Sequence, residues 1–248
     1  MMAAVDAGRP SPPLSGATVC AFIMAAGSGE RFMGLTEKQM EPLCGMPILL
    51  RSVMAFASLE EVGCLVVSAP EGRASEYRLA AEASCMGKGL TVVDGGATRQ
   101  ESVHKALERM SASLPDDAIA AIHDAVRPFA DGPTIRRSLS DAATFGASCV
   151  CVPSKDTVKE AVGGFIARTV DRSAVWLAQT PQCFRFGLIL GAHRAAAADG
   201  IKATDDAALA ERMGVKVRVT PGTDSNIKIT TRDDYGYAEY LLSSRKWE

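Results

Sequence analysis

A stretch of small residues followed by cations comes directly after the first apolar run of the chain. Residues 24–31 read MAAGSGER, and Lys38 lies seven residues beyond Arg31. Small residues let backbone N–H groups approach an anion, and Arg and Lys stabilise the charge that moves when a triphosphate reacts at its α-phosphorus. The stretch lacks the Lys-Ser or Lys-Thr of a P-loop, and Phe32 stands where a dinucleotide-binding fingerprint needs a small residue. These residues predict a triphosphate-binding loop, or else a tight turn in which Arg31 and Lys38 are solvated.

Polar residues recur at the ends of two other apolar runs. Asp124 and Arg127 follow one run in the motif HDAVRP, and the sequence DGG, ending at Gly96, follows another, with Ser102 six residues later. A carboxylate at the carboxyl end of a strand can bind a ribose hydroxyl or Mg²⁺, and exposed backbone at paired glycines can read a base edge. The alternatives are an Asp–Arg pair that braces a turn, and a simple strand-to-helix turn.

A third set of polar residues combines hydroxyls with cations, which is the usual equipment of a phosphomonoester site. Its members are Thr157, Arg172, Thr180, Thr204 and Lys228. Thr204 is also well placed to be the N-cap of a helix. Hydrolytic chemistry is unsupported, because the sequence has neither a Ser-His-Asp order nor an HExxH motif.

The elements that would position these residues form an alternating pattern. Continuous apolar runs predict strands covered on both faces, and therefore a mostly parallel sheet between helices. The predicted strands are residues 18–24, 62–68, 90–93, 118–122, 147–152, 215–220 and 226–230. The predicted helices are residues 48–57, 73–84, 98–113, 133–144, 186–198, 204–213 and 231–244. Thr231 and Asp234 begin the last helix in the pattern of a capping box.

Two regions interrupt or precede this α/β pattern. Residues 157–161 and 165–170 are β-prone and flank Gly163–Gly164, which predicts a polar hairpin that projects from the core and packs on a second subunit. Residues 1–17 contain three prolines and scattered small residues, which predict a flexible extension. Residues 18–245 are expected to form one domain.

Composition excludes several classes of protein. The chain has 248 residues, of which 47% are hydrophobic and 23% charged, and its formal net charge is −2, so no global basic field favours nucleic acid or an anionic membrane. Its seven cysteines form no CxxC pair, and its three histidines have no metal-ligand spacing. No apolar run is long enough to span a bilayer, and the N-terminus lacks the pattern of a signal peptide. We therefore expect a soluble, cytoplasmic protein with reduced cysteines.

Eight motifs, in order along the chain, together resemble the 2-C-methyl-D-erythritol 4-phosphate cytidylyltransferase family. They are AAGSGERF, EKQ, DGGATRQESV, HDAVRPF, KDTVK, TVDRSAVWLAQTPQ, ATDDAAL and SNIKITTRDDY. The resemblance implies a Rossmann-like nucleotidyltransferase and a homodimer whose subunits exchange a β-arm, here about residues 153–176. It also implies transfer of CMP from CTP to methylerythritol phosphate.

The same resemblance assigns expected roles to individual residues. Arg31 and Lys38 would be catalytic, contacting the CTP phosphates, and Mg²⁺ would bridge those phosphates. The residues expected to bind CTP are Ala25, Ala26, Gly27, Gly29, Gly96, Ser102 and Asp124, the last also a possible metal ligand. The residues expected to bind the polyol phosphate are Arg127, Thr157, Arg172, Thr180, Thr204 and Lys228.

The sequence departs from the family pattern beside one catalytic residue. Glu37 stands where the family usually has proline, and Met40 stands where it usually has an aromatic residue. An acid next to Lys38 is expected to compete with the CTP phosphates for its ammonium group. Two rival functions remain at this point: a ribitol 5-phosphate cytidylyltransferase, which shares several motifs, and a catalytically inactive nucleotide-binding protein.

Overall fold

The first strand is buried along its whole length because its six residues, VCAFIM, are apolar on both faces. The structure is a computed structural model, and it describes residues 16–27 and 37–244. The strands are β1 (Val19–Met24), β2 (Pro42–Leu43), β3 (Met46–Pro47), β4 (Val62–Ala69), β5 (Gly89–Asp94), β6 (Ile119–Asp124), β7 (Ala147–Pro153), β8 (Lys159–Val162), β9 (Phe165–Thr169), β10 (Trp176–Arg185) and β11 (Arg218–Pro221). The α-helices are α1 (Ile48–Ala57), α2 (Ala74–Glu82), α3 (Arg99–Met110), α4 (Gly132–Phe145), α5 (Phe186–Ala198), α6 (Asp206–Arg212) and α7 (Arg232–Ser243). The extension predicted for residues 1–17 lies outside the described residues, except for its last two.

The main sheet confirms the mostly parallel α/β architecture. Within the described residues it has seven strands in the order β11-β7-β10-β6-β1-β4-β5. Strand β10 is antiparallel to both of its neighbours, and the other pairs are parallel. The chain proceeds from β1 to β4 and β5 on one side and places β6 on the other. The β1–β6 boundary is therefore a switch point, where open α/β sheets bind ligands outside the carboxyl ends of their strands.

Helices cover both faces of the sheet because alternate residues of a strand point to opposite sides. Phe22 and Met24 of β1 pack into one core with α3, α5 and α6. Ala21 and Ile23 pack into the other core with α1, α2 and α4. A smaller apolar cluster attaches α7 to the loop after β6. Two packed layers thus hold β1 and β6 in fixed register beneath the switch point.

The structure differs from the sequence predictions at three elements. Residues 226–230 are not a strand, since Ile229 N–H donates to Val126 O at 2.9 Å rather than to a ladder. Helix α6 has Asp205, not Thr204, as its N-cap, because the Asp205 carboxylate accepts the N–H of Ala208 at 3.0 Å. Strand β10 was not predicted at all. The capping box at α7 is confirmed.

The polar hairpin is confirmed as strands β8 and β9, which pair antiparallel with Val162 opposite Phe165. Gly163 and Gly164 between them have φ values of 60° and 86°, as a tight turn of the type favoured in hairpins requires. The chain leaves the sheet at Pro153 and re-enters it at Trp176, and these two residues are partners in the β7–β10 ladder. We call residues 153–176 the arm.

None of the helices in residues 16–27 and 37–244 combines the length and apolar character needed to cross a bilayer.

Candidate active site

A cavity of about 630 Å³ opens at the switch point, beyond the carboxyl ends of β1, β5 and β6. Met24 and Asp124 are register partners at the ends of β1 and β6, so the residues that follow them meet at one edge of the sheet. Eight of the residues predicted from the sequence line the cavity: Ala25, Ala26, Gly27, Lys38, Gly96, Ser102, Asp124 and Lys228. Two more, Gly29 and Arg31, lie outside the described residues. Strand ends far apart in sequence therefore converge on a single space.

The loop after β1 is fixed by one backbone hydrogen bond and by hydrogen bonds from one side chain. Ala25 N–H donates to Ser68 O at 2.8 Å, which continues the parallel pairing of β1 with β4. The carboxamide of Gln39 donates to Ala25 O at 2.8 Å. Gln39 is buried, at 2% exposure, and lines the cavity, although the sequence reasoning did not select it. The bonds fix the direction in which the loop enters the cavity.

The turn after β5 packs closely against the same loop. A Cβ atom on Gly95 would lie 2.3 Å from the Cβ of Ala26 and 2.9 Å from Oγ of Ser102, so only glycine fits there. Gly96 N–H donates to Oγ of Ser102 at 3.0 Å, and the Ser102 hydroxyl donates to Thr98 O at 2.8 Å. These bonds fix the backbone of the turn at the cavity wall, which Gly96 and Ser102 both line.

Asp124 is surrounded by cations. Its Oδ1 accepts from Nε of Arg99 at 2.9 Å, and its Oδ2 lies 2.8 Å from Nζ of Lys228 and 3.7 Å from Nε of Arg127. Burial alone would raise the pKa of Asp124, but the charges of Arg99, Lys228 and Arg127 outweigh it and hold that pKa well below its usual range. Asp124 is therefore an ionised carboxylate that gathers positive charge at the floor of the cavity.

Arg99 is the main site residue that the sequence reasoning missed. It lines the cavity and bridges two carboxylates, since its NH1 group also donates to Oδ2 of Asp206 at 2.8 Å. The other oxygen of Asp206 accepts from Nε2 of His193 at 3.1 Å, deep in the core. Arg99 stands in the quoted motif DGGATRQESV, but its partners lie 25 and 107 residues away, so no local pattern could reveal them.

Thr180 contacts the backbone of Asp124, and His123 contacts Thr180. The backbone N–H of Asp124 donates to Oγ1 of Thr180 at 3.1 Å, and the Thr180 hydroxyl lies 3.0 Å from Nδ1 of His123. Nε2 of His123 lies 3.0 Å from the carbonyl of Arg127, which can only accept, so Nε2 carries the proton. Burial lowers the pKa of His123 to about 4, which keeps the ring neutral. Thr180 is buried and does not line the cavity.

The remaining residues of the predicted polyol-phosphate set do not line this cavity. Arg127 lies beside it, and its NH1 group donates to Asn226 O at 2.7 Å, which anchors the segment that carries Lys228. Thr204 is exposed. Thr157 and Arg172 are exposed on the arm, where Arg172 donates to Lys155 O at 2.9 Å. Within the described residues, one chain thus brings together Lys228 and the residues predicted to bind CTP, but not the arm residues.

The carboxylate of Glu37, which the sequence suggested would compete for Lys38, is paired with two other side chains. Its carboxylate lies 2.6 Å from NH1 of Arg73 and accepts the hydroxyl of Tyr77 at 2.5 Å. Both partners stand at the start of α2 and in its first turns, outside the cavity. The acid that departs from the family pattern therefore has partners of its own.

The cavity offers little to hold a metal ion by itself. In the described part of the chain, no three His, Cys, Asp or Glu side chains are grouped so that they could hold one. Asp124 is the single carboxylate among the described residues that line the cavity. A divalent ion there would take most of its oxygen ligands from a bound triphosphate, which fits the sequence expectation.

Comparison with known proteins gives consistent matches. The model of the family described as 2-C-methyl-D-erythritol 4-phosphate cytidylyltransferase matches residues 19–244. A protein of that name from Shouchella clausii is 40% identical over 230 residues, covering 91% of this chain and 97% of the relative. One from Symbiobacterium thermophilum is 43% identical over 226 residues, covering 90% of this chain and 92% of the relative.

A solved structure agrees with these relatives. The crystal structure of 4-diphosphocytidyl-2C-methyl-D-erythritol synthase from Anaerococcus prevotii matches with a TM-score of 0.80 at 28% identity, covering 93% of this chain and 98% of that chain.

Proposed function

This chain belongs to the 2-C-methyl-D-erythritol 4-phosphate cytidylyltransferase family, and from that premise we propose that it transfers the cytidylyl group of CTP to 2-C-methyl-D-erythritol 4-phosphate. The products are 4-diphosphocytidyl-2-C-methyl-D-erythritol and pyrophosphate, and the reaction serves isoprenoid precursor biosynthesis. The ribitol 5-phosphate alternative is not favoured, because the relatives described above carry the methylerythritol name.

One observation carries this proposal. Residues 25–27 at the start of the glycine loop, Gly96, and the cations Lys38, Arg99 and Lys228 all border one cavity at the switch point of the sheet. Each part corresponds to one part of the substrates: the loop and Lys38 to the triphosphate, Gly96 to the base, and Lys228 to a phosphate. An inactive binding protein would not need cations at every reacting group.

The chemistry is a direct displacement at phosphorus. The phosphate oxygen of the polyol attacks the α-phosphorus of CTP in line, the bond to the β-phosphate oxygen breaks, and pyrophosphate takes the electron pair. Catalysis then consists of positioning and charge stabilisation, with no covalent enzyme intermediate. Lys38, together with Arg31, stabilises the charge that develops on the phosphoryl oxygens, and Ser102 holds the turn that reads cytosine.

Mg²⁺ is the proposed cofactor. When bound together with CTP, it would supply positive charge that neutralises the triphosphate. Asp124 is the residue that would reach it, while the same carboxylate orients Arg99 and Lys228.

A second copy of the chain would complete the site. Val162, Phe165 and Ile166 of the arm are 69%, 81% and 66% exposed, which is unusual for three neighbouring large apolar residues. We infer that the arm packs on the partner of a homodimer and brings Thr157 and Arg172 to the partner's polyol phosphate. Both residues are exposed and do not line the described cavity of their own chain, which supports this role. Arg127, Thr180, Thr204 and Lys228 keep their proposed place in the polyol-phosphate pocket, the first two from beneath its wall.

Pyrophosphate release from CTP tests the function. We expect release with methylerythritol phosphate, at a rate far above that with ribitol 5-phosphate or with no acceptor. Lys38→Ala should lower kcat by about 100-fold or more, because a donor that acts on transition-state charge is lost. Lys216→Ala, at an exposed lysine that does not line the cavity, is the matched control and should keep wild-type turnover. Equal rates with and without methylerythritol phosphate would overturn the proposal.

A further inference from the structure

Glu37, the residue directly before Lys38, is held by two side chains from α2 and the turn before it. Its carboxylate lies 2.6 Å from NH1 of Arg73 and accepts from the Tyr77 hydroxyl at 2.5 Å. Tyr77 is fully buried, and the guanidinium of Arg73 lies 5.9 Å from the centre of its ring. A charged hydrogen bond from a buried donor is among the stronger polar contacts available, so Glu37 has a defined place.

The same tyrosine reaches the loop that is proposed to bind the triphosphate. The carboxamide of Gln39 donates to the Tyr77 hydroxyl at 2.8 Å and to Ala25 O at 2.8 Å. Residues on both sides of Lys38 are therefore attached to Tyr77, and one of them is also attached to the loop. The short 3-10 turn Lys38–Met40 has extended backbone at Glu37 and no side-chain cap within the described residues, so these contacts hold it from outside.

We propose that Glu37, Arg73 and Tyr77 form a clamp that positions Lys38 for phosphoryl transfer, with Arg73 keeping the Glu37 carboxylate away from the Lys38 ammonium. This inference rests on the proposed function. Lysine has a long flexible side chain, and a misplacement of about 1 Å can cost about 100-fold in rate. The clamp fixes the backbone from which that side chain extends and neutralises the one acid adjacent to it in sequence.

The clamp would hold the backbone at Lys38 and would also pair the charge of Glu37. Substitutions of Arg73 and of Glu37 therefore have different expected effects. Arg73→Ala leaves an ionised carboxylate next to Lys38 with only the Tyr77 hydroxyl as partner. The carboxylate then competes with the CTP phosphates for the ammonium group. Glu37→Gln keeps an oxygen that accepts from Tyr77 and removes the competing charge. The arginine variant should therefore be the worse enzyme, and adding Glu37→Gln to it should restore activity.

Steady-state kinetics at saturating CTP and polyol phosphate tests the clamp. We expect kcat to fall about 10-fold in Arg73→Ala and about 3-fold in Glu37→Gln, with the KM for polyol phosphate unchanged. The double variant should recover to the level of Glu37→Gln. Glu76→Gln is the control, because it removes the other ion pair of Arg73, at 2.5 Å, without affecting Glu37. It should keep wild-type kcat.

Two results would overturn the clamp. One is wild-type kcat in Arg73→Ala. The other is a double variant no better than Arg73→Ala, which is the result expected if the ion pair only stabilised the fold; melting temperatures measured in parallel identify that case. These outcomes are separate from failure of the proposed function, in which the wild-type enzyme itself would release no pyrophosphate from CTP and methylerythritol phosphate.

Discussion

Among the described side chains at the cavity, Asp124 has three cationic partners. Arg99, Arg127 and Lys228 all face its carboxylate, and Arg99 is fixed from behind by Asp206. Burial would raise the pKa of Asp206, but Arg99 and His193 lower it overall, so this carboxylate is ionised as well. The cations of the cavity are thus oriented before any substrate binds, which saves reorganisation during the reaction.

His123 gives a prediction about pH, because its pKa is about 4 when folded against a usual value of 6.5. A lowered histidine pKa means that the unfolded chain binds the proton first, so stability is lost as the pH falls below 6.5. We expect this residue alone to lower the free energy of unfolding by about 2 kcal/mol between pH 7 and pH 5. Denaturant titration at the two pH values should show a smaller difference in His123→Gln than in the wild type.

Titration of Asp124 and Asp206 does not contribute to the stability change expected between pH 7 and pH 5. The depressed pKa values of Asp124 and Asp206 contribute stability above the ordinary pKa of Asp, which is lost only at more acidic pH. Equal pH slopes in the wild type and the variant would contradict the assignment of a neutral, Nε2-protonated His123.

At the level of elements, the turn between β5 and α3 depends on the absence of a side chain at Gly95. Gly95→Ala would place a methyl group 2.3 Å from the Cβ of Ala26, which cannot rotate away. We expect a loss of about 1–3 kcal/mol in stability and a higher KM for CTP, because the loop after β1 must move. Gly191→Ala, where an added Cβ meets nothing within 4 Å in the described part of the chain, is the control. A variant at Gly95 that matched this control in both measurements would refute the close approach.

The elements also show what the sequence could predict. Strands β1, β4, β6 and β7 are apolar runs buried on both faces, and their pattern predicted them. Strand β10 was missed because three of its six buried residues are polar: Gln179, Thr180 and Gln182 bond to side chains of distant segments. The opposite error occurred at residues 226–230, where an apolar alternation packs against the loop after β6 instead of joining a sheet. In both places tertiary hydrogen bonds outweighed local pattern.

For the whole molecule, the exposed apolar tip of the arm predicts the oligomeric state. We expect light scattering at micromolar concentration to give twice the chain mass of 26.1 kDa. Replacing Phe165 and Ile166 together with Ser should shift the protein toward monomer, because the replaced side chains would lose the apolar contacts of the interface. Leu79→Ser, at a side chain 78% exposed on α2, should leave the dimer intact. A wild-type protein of single-chain mass would contradict the dimer.

The pairing of Pro153 with Trp176 has a consequence for how such a molecule can change over time. Both ends of the arm meet at one residue pair of the β7–β10 ladder, so the arm leaves the sheet and returns to it at the same place. Lengthening, shortening or replacing the arm would leave this residue pair in place. It would also leave in place strand β10, which carries Thr180 to the backbone of Asp124. The arm can therefore be altered, together with the dimer and polyol-phosphate contacts proposed for it, without changing the strand ladder beneath the cavity.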